Sequence, residues 1–272
     1  MSATITSRVI LITGCSSGFG RAFAQYFLSH GQKVVVTARK TDAIQDFAEK
    51  FPATSLVLPL DVNDENSVNS VISKTLETFG QVDVLINNAG YSLFGVFESY
   101  SEAEYRLQME TNFFGAMRVT QAVLPIMRKQ KSGHVIQISS VGGVVANPMI
   151  SVYNASKFAL EGFTEALAKE TAAFNVKFTI VQPGGFKTDI ATKNLVTPSS
   201  TEDIAEYAAV VDAMKKFQEY LQNPPGDPNK AAAAVLQVIQ SPNPPLRLPL
   251  GADSVHMIKE KLDQQLKEIQ AW

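Results

Sequence analysis

The chain has 272 residues, of which 45% are hydrophobic and 18% charged, with a formal net charge of −2. This balance is that of a soluble globular chain with a sizeable core, and the charge excludes a global attraction to nucleic acid or to an anionic membrane. A single cysteine, Cys15, excludes an internal disulfide framework and fits a reducing compartment, so a cytoplasmic location is expected.

Short β-branched runs alternate with longer helical patterns. Residues 9–12 read as a buried strand and residues 19–28 as a helix. Between them lies Gly14-Cys15-Ser16-Ser17-Gly18-Phe19-Gly20, a glycine-rich turn at the first strand–helix junction. Glycines there allow a tight turn and close backbone approach, and the helix N-terminus offers free N–H groups and a positive dipole end to a pyrophosphate. The spacing is GxxxGxG rather than GxGxxG, and a glycine-rich turn alone is weak. The same residues also spell G-x-S-x-G, with Ser16 as a hydrolase nucleophile. That reading is disfavoured because a nucleophile elbow follows several strands, and only one strand precedes this one.

Residues 33–37 read as the second strand, followed by Arg39 and Lys40. A carboxylate at this place would hold the ribose 2′-hydroxyl of NAD. A basic residue instead suits the 2′-phosphate of NADP, which Arg39 can pair while stacking on adenine. Residues 41–50 read as helical, 55–60 as a strand, 66–79 as a helix and 83–86 as a strand. A long helical stretch over 102–128 leads to a strand at 134–138, a helix over 152–172 and a strand at 176–181. The strands carry too few outward polar positions for a half-solvated sheet, so a doubly wound parallel α/β sheet of about seven strands is expected, with helices on both faces.

Residues 188–228 show no strand signal. They hold a polar stretch around Ser199, Ser200 and Thr201, then Ile204, Ala208, Val211, Met214, Phe217 and Leu221 at helical spacing. The segment is a candidate substrate lid, and a peripheral packing helix fits the same pattern. Residues 247–250 read as a last strand and 255–269 as a closing amphipathic helix, with no linker that would divide 1–272 into two domains. No apolar run is long enough to span a membrane, and His30, His134 and His256 are too scattered for a metal site.

Tyr153 and Lys157 lie four apart within the helix over 152–172, which places them on one face. A lysine ammonium beside a phenol favours phenolate, so the tyrosine pKa is expected to fall toward neutrality, suiting general acid–base work. The spacing by itself is one that chance readily supplies. Around the strand ends, Tyr91, Phe94, Phe97, Val141, Val144, Val145 and Met149 would give an apolar substrate lining.

Taken in order, these residues resemble the short-chain dehydrogenase/reductase family in its single-domain form, over about residues 8–190. Thr13-Gly14 to Gly20 looks like its cofactor loop, Asp61-Val62 like its adenine-facing pair, and Asn87-Asn88-Ala89-Gly90 like its fourth-strand motif. Ser140 stands thirteen residues before Tyr153, the family's usual interval, and so is preferred over Ser139. Pro183-Gly184 and Thr188 resemble the segment flanking the nicotinamide. The C-terminal third looks like the bacterial 17β-hydroxysteroid-dehydrogenase-like and retinol-dehydrogenase-like branch.

The resemblance implies hydride transfer between NADP(H) and a ketone or aldehyde/secondary alcohol pair, with Asn112, Ser140, Tyr153 and Lys157 catalytic. It implies that the counterpart of Asn112, a poor helix former in a helical run, loosens its helix and holds a water near the lysine. Lys157 would also bond the nicotinamide ribose. A homodimer or homotetramer is the family's habit. A protein that senses NADP without turnover is the alternative from another class, disfavoured because all four catalytic positions are present.

Overall fold

The computed structural model describes residues 7–188, 195–198 and 204–272. Seven parallel strands form one sheet: β1 (Val9–Ile12), β2 (Lys33–Ala38), β3 (Ser55–Pro59), β4 (Val84–Asn87), β6 (Gly133–Ile138), β7 (Val176–Pro183) and β9 (Arg247–Leu250). Their spatial order is β3-β2-β1-β4-β6-β7-β9. The chain thus runs outward from β1 to β3, returns to β4, and runs outward again on the other side. Strand order reverses between β1 and β4, and the crevice beyond the carboxyl ends of such a pair is where open parallel sheets bind ligands.

Alternation along each strand builds the two cores. Ile10 and Ile12 face one layer with Val34, Val36, Ile86 and Ile136, beneath α1 (Gly18–Ser29) and α8 (Pro228–Gln240). Leu11, Val35, Leu85 and Val135 face the other, beneath α3 (Glu65–Phe79) and α5 (Gly115–Gln130). Both faces are covered, which is why the strands read as continuous apolar runs.

The structure differs from the sequence reading at four places. The 41–50 stretch is a 3₁₀ turn, Thr41–Ile44, followed by a short α2 (Gln45–Lys50). The long stretch from 102 is not one regular helix: α4 (Glu102–Met109) passes into α5 through a π-helical turn, Glu110–Phe114. The 188–228 segment does contain a strand. β8 (Leu195–Val196) pairs in parallel with β5 (Ser92–Leu93), and two residues are too few for any periodicity to announce.

Fourth, α8 forms over a stretch for which the sequence reading names no element. Asp227 caps it through Asn229 N, Pro228 opens it, and Ala231, Ala232, Val235, Leu236 and Ile239 bury its face. The expected helix after 204 forms as α7 (Ala208–Gln222), while Ser199 to Thr201 and the side chains of Phe217 and Leu221 lie outside the described residues. The chain continues from α6 (Ser151–Glu170), between β6 and β7, to a final α9 (Ala252–Ala271). No described helix is long and apolar enough to cross a membrane.

Candidate active site

The loop after β1 is shaped by its glycines and tied to β4. Gly14 (φ +74°) and Gly18 (φ +55°) occupy the left-handed region that disfavours side chains. Gly20 has no room for one, since a Cβ there would stand 2.4 Å from Gly14 O and 2.5 Å from Asn88 Nδ2. The Asn88 amide donates to Thr13 O and Gly14 O, both at 2.9 Å, while Thr13 Oγ1 accepts from Asn88 N (2.9 Å) and Ala89 N (3.0 Å). The β1 and β4 ends are therefore clamped together at the switch point. The α1 N-cap, Ser17, makes no side-chain cap, which leaves the first-turn N–H groups for a ligand. Ser16 is exposed, Cys15 is buried, and Phe19 stacks on Phe23. Arg39 ends β2 in an exposed position, and its charge acts on the Tyr91 phenol. Asp61 caps a turn through Asn63 N (2.9 Å), and Val62 is buried.

Tyr153, Lys157, Ser140 and Asn112 converge beside this loop. Tyr153 and Lys157 share one face of α6, are 8% and 5% exposed, and place Lys157 Nζ 5.8 Å from the phenol ring centroid. Lys157 Nζ donates to Ile138 O (2.8 Å), which anchors it to the end of β6. Ser140, the next residue but one, caps the Val141–Gly143 turn through Gly142 N (3.0 Å) and hydrogen-bonds the Tyr153 phenol. Its neighbour Ser139 is turned away and donates to Glu161 (3.0 Å).

Asn112 sits in the π turn, 1% exposed. Its Oδ1 accepts from Tyr91 N (3.0 Å), and its Nδ2 donates to Tyr91 O (2.9 Å) and Ser156 Oγ (3.2 Å). Gly90 lies between them: a Cβ there would be 3.0 Å from Asn112 Oδ1 and 3.9 Å from Lys157 Nζ.

A match to the short chain dehydrogenase family model spans residues 8–198. The chain belongs to the short-chain dehydrogenase family. It is 39% identical over 244 residues to a 3-ketodihydrosphingosine reductase of Bacteroides thetaiotaomicron, an alignment covering 90% of this chain and 88% of that protein. A solved short-chain dehydrogenase from Streptomyces avermitilis is 38% identical with a TM-score of 0.88, covering 98% of this chain and 97% of the other. ElxO, solved with NADP bound, is 26% identical with a TM-score of 0.75, covering 92% and 99%. As a short-chain dehydrogenase the chain is an oxidoreductase using a nicotinamide cofactor, and the cramped, N–H-rich glycine loop fits that group.

The electrostatics of this short-chain dehydrogenase correct one expectation. Burial raises the Tyr153 pKa above its ordinary value, and the bond from Ser140 offsets only part of the rise. The balance of effects at the phenol is upward, not toward neutrality. The Lys157 ammonium is held on Ile138 O rather than on the phenol, and burial pushes its own pKa down to about 8. At neutral pH the phenol keeps its proton.

The flanks are apolar where the sequence suggested. Phe94, Val96, Met149 and Met214 form a buried cluster joining the β5 loop, the loop before α6 and α7. Phe97 instead points outward, 61% exposed, while Tyr91, Val141, Val144 and Val145 are half-buried. Met149 takes φ +61°, and its carbonyl accepts from Gly95 N (2.8 Å) and the Tyr100 hydroxyl (3.0 Å). Pro183 closes β7, Gly184 N donates to Leu250 O (2.9 Å), Gly185 N donates to Asp253 (2.7 Å), and Thr188 N donates to Phe186 O (2.8 Å).

Among the described residues no group of three metal-ligating side chains occurs. His256 pairs with Glu260 (3.3 Å), His30 stacks on Tyr26 and His134 bonds Thr179, so none is hydrogen-bonded to Ser16. One site residue escaped the sequence reading: Glu161, legible as the next step of the four-residue spacing after Lys157.

Proposed function

We propose that this protein is an NADP(H)-dependent carbonyl reductase/alcohol dehydrogenase acting on an apolar ketone or aldehyde. The convergence of Tyr153, Ser140, Lys157 and Asn112 beside the glycine loop carries the reading. Gly14, Ser16, Ser17, Gly18, Phe19 and Gly20 would hold the pyrophosphate, Arg39 the 2′-phosphate, and Asp61 and Val62 the adenine. Asn88, Ala89, Gly90, Pro183, Gly184 and Thr188 would line the nicotinamide side. When bound, the nicotinamide supplies or accepts the hydride.

In reduction, Tyr153 gives its phenolic proton to the substrate oxygen, and burial keeps that proton in place at neutral pH. Ser140 donates a hydrogen bond to the same oxygen and stabilises the charge developing there. As the phenolate forms, the Lys157 ammonium on the same helix face stabilises it. Asn112, whose side chain is engaged by Tyr91 and Ser156, holds a relay water through its backbone carbonyl. Residues 188–228 act as a substrate lid, a role supported by the packing of Met214 on α7 with Phe94 and Met149. The Bacteroides relative is named a 3-ketodihydrosphingosine reductase, which supports a ketone substrate here. A homodimer or homotetramer in the cytoplasm completes the reading.

Purified protein should oxidise NADPH with members of a ketone and aldehyde panel, and Tyr153→Phe should lose roughly 10²-fold or more of that rate. Full activity in the variant would refute the assignment, and tight NADPH binding without turnover would favour the sensor reading. Arg39→Asp should weaken NADPH far more than NADH, and equal losses would overturn the cofactor choice.

A further inference from the structure

Three successive residues at the end of β6 are each met by a different side chain of α6. Lys157 donates to Ile138 O (2.8 Å), Ser139 Oγ donates to Glu161 Oε1 (3.0 Å), and Ser140 bonds Tyr153. Tyr153, Lys157 and Glu161 follow one another at four-residue steps, so they form one stripe along the helix. Glu161 is only 6% exposed, and a buried carboxylate is costly unless fully partnered. Its partners are complete: besides Ser139, Gln182 Nε2 reaches both oxygens (2.8 and 3.0 Å), and Arg247 Nε lies 3.3 Å from Oε2. The Val141–Gly143 turn closes over it so tightly that a Cβ on Gly143 would stand 2.9 Å from Oε1. The reaction proposed above gives this carboxylate no task.

Its nearest functional neighbour on the stripe is the buried Lys157 ammonium, whose charge burial opposes and Glu161 supports. We propose that Glu161 is a positioning residue: its carboxylate keeps Lys157 in the ammonium form and fixes the strand end that carries Ser140. The inference deepens, and rests on, the reading of Lys157 as the charged partner of Tyr153. The charged and titratable groups gathered here are Tyr153, Lys157, Glu161 and Glu165 on α6 and Arg247 on β9, which also bonds Glu165 (2.6 Å). From β6, β7 and the loop after β6, the polar groups Ser139, Ser140 and Gln182 bond the stripe. Asp253, on α9, bonds Gly185 N.

Carbon-13 NMR of the full chain labelled at lysine Cε follows Lys157 directly, with Lys157→Arg identifying its resonance. Glu161→Gln should lower the Lys157 titration midpoint by about 1 unit or more. The pH above which carbonyl reduction declines should move down with it, and KM for the carbonyl should change little. An unchanged midpoint overturns the inference, whatever the enzyme turns over. A lowered midpoint in a protein that reduces no carbonyl supports the inference and removes the reductase reading instead. The unsubstituted protein gives the same answer if Glu161→Gln does not fold. Protonating Glu161 at acid pH should move the Lys157 Cε resonance a second time, and a single-step titration overturns the inference.

Discussion

Replacing Gly20 with alanine tests the glycine loop most directly. The added methyl would stand 2.4 Å from Gly14 O and 2.5 Å from Asn88 Nδ2, so one or both must move by about 1 Å to reach ordinary contact. Those two groups are partners: the Asn88 amide holds Gly14 O and Thr13 O. Losing both bonds costs about 1 kcal/mol each, and the forced overpacking adds roughly 1–3 kcal/mol. A total of roughly 3–5 kcal/mol is a large share of the ~5–15 kcal/mol that holds a domain together. It corresponds to a fall of roughly 6–20 °C in Tm for a chain of about this size.

Gly162→Ala is the matched control, because this glycine lies in α6 with no neighbouring atom within 4 Å of where its added methyl would stand, and it should gain slightly from helix propensity. Thermal melts and NADPH titration of both variants decide the matter. Gly20→Ala should melt lower and bind NADPH at least tenfold more weakly, while Gly162→Ala should match or exceed the unsubstituted protein. Equal melting of the two variants, or unimpaired cofactor binding by Gly20→Ala, would refute the reasoning.

Two further outcomes follow from buried titratable groups. His134 is buried against Thr179, and burial lowers its pKa from 6.5 to about 3. The unfolded chain therefore binds the extra proton first, and stability present above pH 6.5 is lost as pH falls toward 3. Two pH units below 6.5 that loss is about 2–3 kcal/mol, and His134→Asn, able to keep a bond to Thr179, should lose correspondingly less in acid denaturation; an identical acid limb would contradict this. The Cys15 thiol is fully buried and pushed up to about 12, so it should resist alkylation in the folded protein and react only on unfolding, as mass spectrometry of iodoacetamide-treated samples will show.

Most of the fold was legible because both-sided burial writes itself as unbroken apolar strands, and the strand–helix alternation leaves little choice of topology. Tyr153 and Lys157 were legible from their spacing and Ser140 and Asn112 from the family resemblance, and the structure gathers them at one place. What escaped lacked a periodic signal or depended on distance. The two-residue β8 exists only because its partner on β5 lies across the fold. The π turn at Asn112 replaces one hydrogen-bond register by another without changing the apolar pattern around it. The α8 helix went unread, although Asp227 followed by Pro228 is the N-cap and first-turn proline pattern that opens a helix. The Tyr153 pKa went astray because spacing reveals that a cation is near but not that both groups are buried, nor that the lysine is held elsewhere.

The short β5–β8 ladder has a consequence for how this enzyme's substrate range could change. Among the described residues the insert is joined by the β5–β8 pair, the cluster around Phe94, Met149 and Met214, a bond from Tyr207 to Glu98 and a bridge between Gly226 and Phe186. The glycine loop is clamped by Thr13 and Asn88 at the ends of β1 and β4. Leu195 and Met214 belong to the Phe94 cluster and not to that clamp, so replacements there can reshape what is bound while the Thr13–Asn88 clamp and the Tyr153 stripe keep their geometry. Selection for a new substrate would have the insert to work on, and the rest of the molecule could stand still.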